Sequence, residues 1–156
     1  MAKGGKKNSR KQGLEYVREV KKILEGRGWL VDGPFFKSVF IPAHGGKPPR
    51  QVVGHVDIFG VGDLLVLFRT AFHPQDGTEA PSFGLKLGLV QVTTVDNEAS
   101  HFEALDKVAE SLPVLLFVRC KIDNQVVYRV KNRLRERLGG FNLKGEFLNV
   151  VQCWEH

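Results

Sequence analysis

The sequence predicts a single mixed α/β domain, a central sheet with helices against its faces. Three observations predict it. An amphipathic helical stretch opens the ordered part of the chain, and short apolar runs bounded by Gly, Pro and Asp follow it. A second helical stretch lies between two of those runs, which lets the strands on either side lie parallel. At 156 residues with 42% apolar content, one core can form without disulfide staples.

The elements follow in order. Leu14, Val17, Val20 and Leu24 make the apolar stripe of a helix from Lys11 to Glu25, which Gly26-Arg27-Gly28 ends. Trp29-Leu30-Val31 starts an extended segment and Phe35 to Ile41 continues it. The Gly- and Pro-rich stretch from Pro42 to Pro49 then reads as a protruding loop. Leu64 to Phe68 is apolar throughout, as in a strand buried on both faces. A polar connection from Thr70 to Ser82 leads to a strand from Leu85 to Thr94, and both this connection and the Pro42–Pro49 loop are candidate DNA contacts.

After a turn at Asp96-Asn97-Glu98, Ser100 is placed to cap a helix reaching Ser111, with Glu103 completing a capping box and Pro113 closing it. Val114 to Val118 is the next buried strand, and Gln125 to Val130 returns as its hairpin partner across Asp123-Asn124. From Arg129 onward two periods compete. Basic residues recur every two positions, while Val130, Leu134 and Leu138 recur every four, and the favoured reading is a strand through Val130 giving way to a short helix closed by Gly139-Gly140. Phe147 to Trp154 reads as an added strand.

Charge narrows the function classes. Twenty-three Lys and Arg against 17 Asp and Glu give a net charge of +6, the electrostatic footprint of a nucleic-acid partner. Residues 1–11 carry Lys3, Lys6, Lys7, Arg10 and Lys11 among Gly, Asn and Ser, which predicts a flexible basic arm ahead of one domain over residues 12–156. Arg129, Lys131, Arg133, Arg135 and Arg137 form a second basic group and a second candidate DNA contact. No apolar run approaches the ~18 residues that cross a bilayer, and no apolar segment follows the basic N terminus, so an intracellular protein is expected, cytoplasmic or nucleoid-associated, with no membrane partner. Cys120 and Cys153 are expected as buried free thiols on strands.

Several polar residues stand where strands begin and end. Asp63 precedes an apolar strand, and Gln91 and Thr93 share one face of the next while Val90 and Val92 take the other. Two neighbouring strands can thereby aim oxygen ligands at one divalent cation, which needs few protein ligands if it is magnesium. His55 and Asp57 share a strand face, and Gly60-Val61-Gly62 lets the chain fold back so that Asp57 can act beside Asp63 as an auxiliary ligand. A zinc site from His55, Asp57, His44 and His73 is the other reading of this region; no paired Cys or regular His spacing supports it.

With Gly13-Leu14-Glu15-Tyr16 on the first helix, then Asp63, then Gln91-Val92-Thr93-Thr94, residues 9–130 resemble the PD-(D/E)XK nuclease superfamily, in its branch of archaeal-type Holliday junction resolvases and their phage relatives. The resemblance implies a restriction-endonuclease-like fold, a homodimer and a structure-selective DNA endonuclease acting on branched or duplex DNA, with Mg2+ as cofactor and Mn2+ as its substitute. It also implies that Glu15, Asp63 and Gln91 hold the metal, with the Val92 carbonyl as a further ligand, and suggests a phage or prokaryotic origin. Thr93 stands where the family has its catalytic lysine. Lys86, Lys107 and His101 are the candidates to replace that function, and Thr93 can hydrogen-bond the attacking water. A DNA-binding protein of the same fold without cleavage activity, serving a recombination or packaging assembly, is the alternative, and an RNA-processing nuclease is a third.

Overall fold

A computed structural model describes residues 9–69 and 85–154. The first element is helix α1, Ser9–Gly26, which buries Val17, Val20, Ile23 and Leu24 along one stripe. It ends where expected: Gly28 takes a left-handed φ of 83°, and the Arg27 and Trp29 amides both return to the Leu24 carbonyl at 3.1 Å.

Nine strands follow among the described residues. β1 (Leu30–Asp32), β4 (Leu64–Arg69), β5 (Leu85–Thr94), β6 (Val114–Ile122), β7 (Gln125–Asn132), β8 (Arg137–Asn142) and β9 (Phe147–Leu148) form one sheet in the order β1-β4-β5-β6-β7-β8-β9. Among the described residues, β2 (Phe35–Ile41) and β3 (Arg50–Val56) pair only with each other, as a separate ribbon. Every neighbouring pair in the large sheet is antiparallel except β5 with β6. That pair is parallel because helix α2, Glu98–Asp106, carries the chain across a face of the sheet between them.

The sheet separates two cores. On one face α1 covers Leu64, Val66, Val90, Val92, Leu115, Phe117, Tyr128, Val130 and Phe141. On the other, Phe102 and Leu105 of α2 pack on Leu89, Val114, Leu116, Val118 and Val61. The mixed α/β architecture with helices on both faces agrees with the sequence reading. The terminal helix α3, Val150–Trp154, lies on the α2 face, because a Cβ built on Gly140 points at the Cys153 sulfur.

Three expectations need correction. Arg129–Gly140 contains no helix: β7 runs to Asn132, turns, and returns as β8. The every-four spacing of Val130, Leu134 and Leu138 arises because Leu134 sits exposed at the hairpin tip between two strand residues. The Asn132 carboxamide oxygen accepts from the Leu134 and Glu136 amides, both at 3.0 Å, and Arg135 takes φ 66°. Asn142 repeats the device with Lys144 and Glu146 at 3.0 Å, and Gly145 takes φ 81°. The recurring Asn-x-x-(Arg/Gly)-Glu is therefore a turn signal.

The chain from Phe147 to Trp154 is not one strand but two residues of strand and a helical turn, so Cys153 is buried on a helix. Cys120 lies on β6, half-buried, and both thiols are free. Ser100 lies inside α2, where its hydroxyl donates to the Asn97 carbonyl at 2.9 Å, and the helix starts two residues before it and stops at Asp106. The hairpin at Asp123-Asn124 does form, with φ of 50° and 63°, the pair of left-handed residues that a two-residue turn between twisted strands requires.

Gly140 is where packing tolerates least. An added Cβ would lie 2.9 Å from the Cys153 sulfur and 3.2 Å from the Arg129 Cα, besides meeting the Tyr128 carbonyl oxygen. Gly140→Ala is expected to destabilise the fold by about 2–3 kcal/mol through overpacking, measured as a shift of the urea midpoint with unchanged slope.

Candidate metal centre

The site begins with a buried carboxylate. Asp63 immediately precedes β4 and is 4% exposed; its amide donates to the Val90 carbonyl at 2.9 Å, which fixes it against β5. Its Oδ2 accepts the Val92 amide at 2.7 Å and the Gln91 side-chain amide at 2.9 Å. The Gln91 amide also donates to the Val92 carbonyl at 3.3 Å. Gln91 and Thr93 are buried on the α2 face of the sheet, and the Thr93 hydroxyl donates to the Thr94 carbonyl at 3.3 Å.

A tight turn brings the second carboxylate alongside. Ile58 and Gly62 exchange backbone hydrogen bonds of 2.7 and 3.0 Å, and Phe59 and Gly60 take φ of 52° and 74°. Gly62 is needed because a Cβ there would meet the Leu89 side chain at 2.9 Å. The turn folds Asp57 back toward Asp63. Between them stands His55, near the end of β3, with Nε2 3.6 Å from Asp63 Oδ1 and Nδ1 3.7 Å from Asp57 Oδ1.

One ligand atom from each of His55, Asp57 and Asp63 lies within 4.8 Å of the other two, and among the described residues no other group of three His, Cys, Asp or Glu is so close. The donor chemistry fits a divalent cation. Burial pushes the Asp63 carboxyl up to about 7, against the lowering effect of the Val92 amide, and the Asp57 charge raises it further, so two carboxylates here share a need for positive charge. Two carboxylate oxygens and an imidazole suit Mn2+ or Mg2+ better than a thiolate-seeking ion.

His101 lies in the first turn of α2. Burial lowers its pKa while Asp57 works the other way, so Asp57 faces it, and its Nδ1 is buried with no hydrogen-bond partner among the described residues.

The remaining sequence candidates lie elsewhere. Glu15 is exposed on α1, which packs on the sheet face opposite to Gln91 and Thr93, and it is not among the clustered ligands. Lys107 follows the last residue of α2, six residues beyond His101 and so roughly 9 Å along the helix axis. Lys86 belongs to β5, paired with Phe68; its side chain, like Lys3, Lys6, Lys7, His73 and the 70–82 connection, lies outside the described residues. Arg10 and Lys11 are exposed at the start of α1, and His44 is at the tip of the β2–β3 ribbon. His55 was visible in the sequence as a polar partner of Asp57; what its spacing cannot convey is the ribbon that swings it over Asp63.

The second basic group makes internal contacts. The Arg133 guanidinium donates to the carbonyls of Leu105 at 2.6 Å and Leu112 at 3.2 Å, and to those of Val108 and Ala109, closing the C-terminal end of α2. Lys131 pairs with Glu98, and Arg135 with Asp106 at 3.0 Å. Arg129, Lys131 and Arg137 surround the Trp154 indole at 4.6, 5.0 and 4.9 Å from its centroid.

No protein-family model, curated protein or solved structure matches the chain. The mixed α/β fold and the geometry of this site therefore stand on their own.

Two outcomes are expected. The folded Asp63 pKa lies above its unfolded value near 3.8, so the folded state holds a proton that the unfolded chain releases; the associated stability is complete below about pH 4 and is lost as pH rises through about 7. Asp63→Asn, which keeps an oxygen for the Val92 and Gln91 donors, is expected to abolish most of that loss, up to about 4 kcal/mol, in urea titrations with chelator across this range. Arg133→Met is expected to cost about 2 kcal/mol by uncapping α2, read in the same titration at one pH.

Proposed function

We propose that the protein is a divalent-metal-dependent DNA endonuclease of the structure-selective, Holliday-junction-resolvase-like kind, on a restriction-endonuclease-like fold. The observation that carries the reading is the convergence of Asp63, Asp57 and His55 on one point at the strand end where Gln91 and Thr93 also lie. The resemblance of residues 9–130 to the PD-(D/E)XK superfamily supports it, as does the net charge of +6 toward a polyanionic substrate.

Asp63, Asp57 and His55 would hold the cation, with the Gln91 amide and Val92 N–H keeping the buried carboxylate oriented. Bound there, a divalent cation supplies charge neutralisation at the scissile phosphate and makes water more acidic. In hydrolysis a water oxygen forms the new bond to phosphorus, the bridging P–O bond breaks and the leaving oxygen takes a proton. His101, on which the Asp57 charge acts and which burial holds below its ordinary pKa, is the residue assigned to accept the proton of the attacking water. Thr93 replaces the family's lysine with a hydroxyl that can bond that water or a phosphate oxygen. Symmetric nicking of a branched DNA calls for a homodimer with two such sites.

A second reading has one specific observation in its favour. Among the described residues, the only basic side chain within 4 Å of the Asp63 carboxylate is His55, so none of the described lysines or arginines supplies the lost charge. On that reading the protein binds DNA without cutting it.

Cleavage of a labelled branched DNA separates the two. Wild type is expected to cut with Mn2+ at lower concentration than with Mg2+, since an imidazole joins the donors, and not at all with chelator. Asp63→Asn is expected to lose about 10²–10³-fold in rate and His101→Ala about 10²-fold. Tight binding with no cleavage under any divalent ion would leave the binding-protein reading.

A further inference from the structure

The β2–β3 ribbon has no counterpart in either core. From Lys37 to Arg50 it is exposed except at Ile41, and its tip is closed by a bridge between His44 and Lys47, with Gly45 and Gly46 at φ 58° and 76°. A two-stranded ribbon is marginally stable alone, and this one leaves Phe40 63% and Val53 66% exposed. Such a surface calls for an occupant.

Register defines what each face offers. Directly paired residues share a face, so Phe36 with His55, Ser38 with Val53 and Phe40 with Gln51 form one side. This side is continuous with the metal centre: the edge of one ring meets the face of the other for Phe36 and His55, centroids 6.0 Å apart, and His55 reaches Asp63. Strand rise then places Phe40 about 13 Å farther out. From Phe35 to Val56 there is no Asp or Glu, while Lys37, Lys47, Arg50 and two histidines are present.

We propose that this ribbon is a DNA-binding arm that recognises unstacked bases next to the scissile phosphate, with Phe36 and Phe40 stacking on bases from one face, Lys47 at the tip meeting a phosphate, and Lys37 and Arg50 adding positive charge from the other face. The proposal rests on the nuclease reading for the identity of the polymer and adds the substrate feature: a branch or end where bases are exposed. A two-stranded ribbon is also narrow enough to enter a major groove. A second copy of the chain is the poorer occupant, because two ribbons laid together oppose cations of like sign with no carboxylate between them.

The test is fluorescence anisotropy in chelator, so that cleavage does not enter, with a labelled four-way junction and a blunt duplex of equal length. Phe40→Ala is expected to weaken junction binding roughly tenfold and duplex binding less than twofold. Lys47→Ala is expected to reduce the log–log salt slope by about 0.9 on both. Both positions are exposed, and an unchanged melting temperature verifies folding. Equal junction affinity of Phe40→Ala and wild type overturns the proposal. So does a wild-type dimer, by sedimentation, that Phe40→Ala converts to monomer with DNA affinity unchanged, which assigns the ribbon to a second copy, and so does loss of binding to anionic vesicles without loss of binding to DNA. Absence of cleavage by wild type with Mn2+, alongside the expected anisotropy result, would end the nuclease reading and leave the arm standing.

Discussion

The 2.7 Å bond from the Val92 amide to Asp63 Oδ2 is the contact on which the site depends. A carboxyl group 4% exposed must have partners or it drives the structure apart, and Asp63 finds them only because β4 and β5 are in one register, with Leu64 opposite Val90. A slip by one residue would turn Gln91 and Thr93 into the α1 core and expose Val92 on the other face. That register is held by apolar packing on both faces of the sheet at once. The polar site is thus a consequence of two hydrophobic cores: burial between strands raises the Asp63 carboxyl to about 7 against the lowering effect of the Val92 amide, and its second oxygen faces His55.

Positive charge in this protein divides by role. Arg133 is bound to the end of α2 by carbonyl oxygens, and Arg129, Lys131 and Arg137 are gathered around one indole. Placed on β7 in register with β6, Arg129 is opposite Val118, which in turn is opposite Thr93. The basic rows therefore run across the same face as the site, two strands away, yet their side chains tie α2 and α3 to the sheet. The ribbon's Lys37, Lys47 and Arg50 stand in contrast, exposed and with no carboxylate along that stretch of chain.

Two short devices shape the chain after β7. The Asn132 and Asn142 turns use one carboxamide oxygen to collect two amides each, and the following Glu136 and Glu146 accept from the same carboxamide's nitrogen at 2.8 and 3.3 Å. Because the turns are short, β7, β8 and β9 stack as a meander whose last strand leads straight into α3. Gly140 then lets that helix sit close enough to bury Cys153, whose thiol burial pushes up to about 11, keeping it protonated and unreactive near neutrality.

Much of this was legible from residue order alone. Apolar runs such as Val114–Val118, the stripe of α1, the Asp123-Asn124 turn and the alternation of Gln91 and Thr93 against Val90 and Val92 are local patterns, and local sterics and periodicity determine them. The Asp57–Asp63 approach was also readable, since Gly60 and Gly62 permit the fold-back. Other features depend on partners distant in the chain. Whether Glu15 lies on the site's side of the sheet, whether His55 hangs over Asp63, and whether an arginine faces solvent or caps a helix are settled by which elements stack on which face, and no window of sequence contains both members of those contacts. The alternation of Val130, Leu134 and Leu138 shows the limit most directly: a helix and a hairpin tip produce the same spacing, and only the strand waiting alongside decides between them.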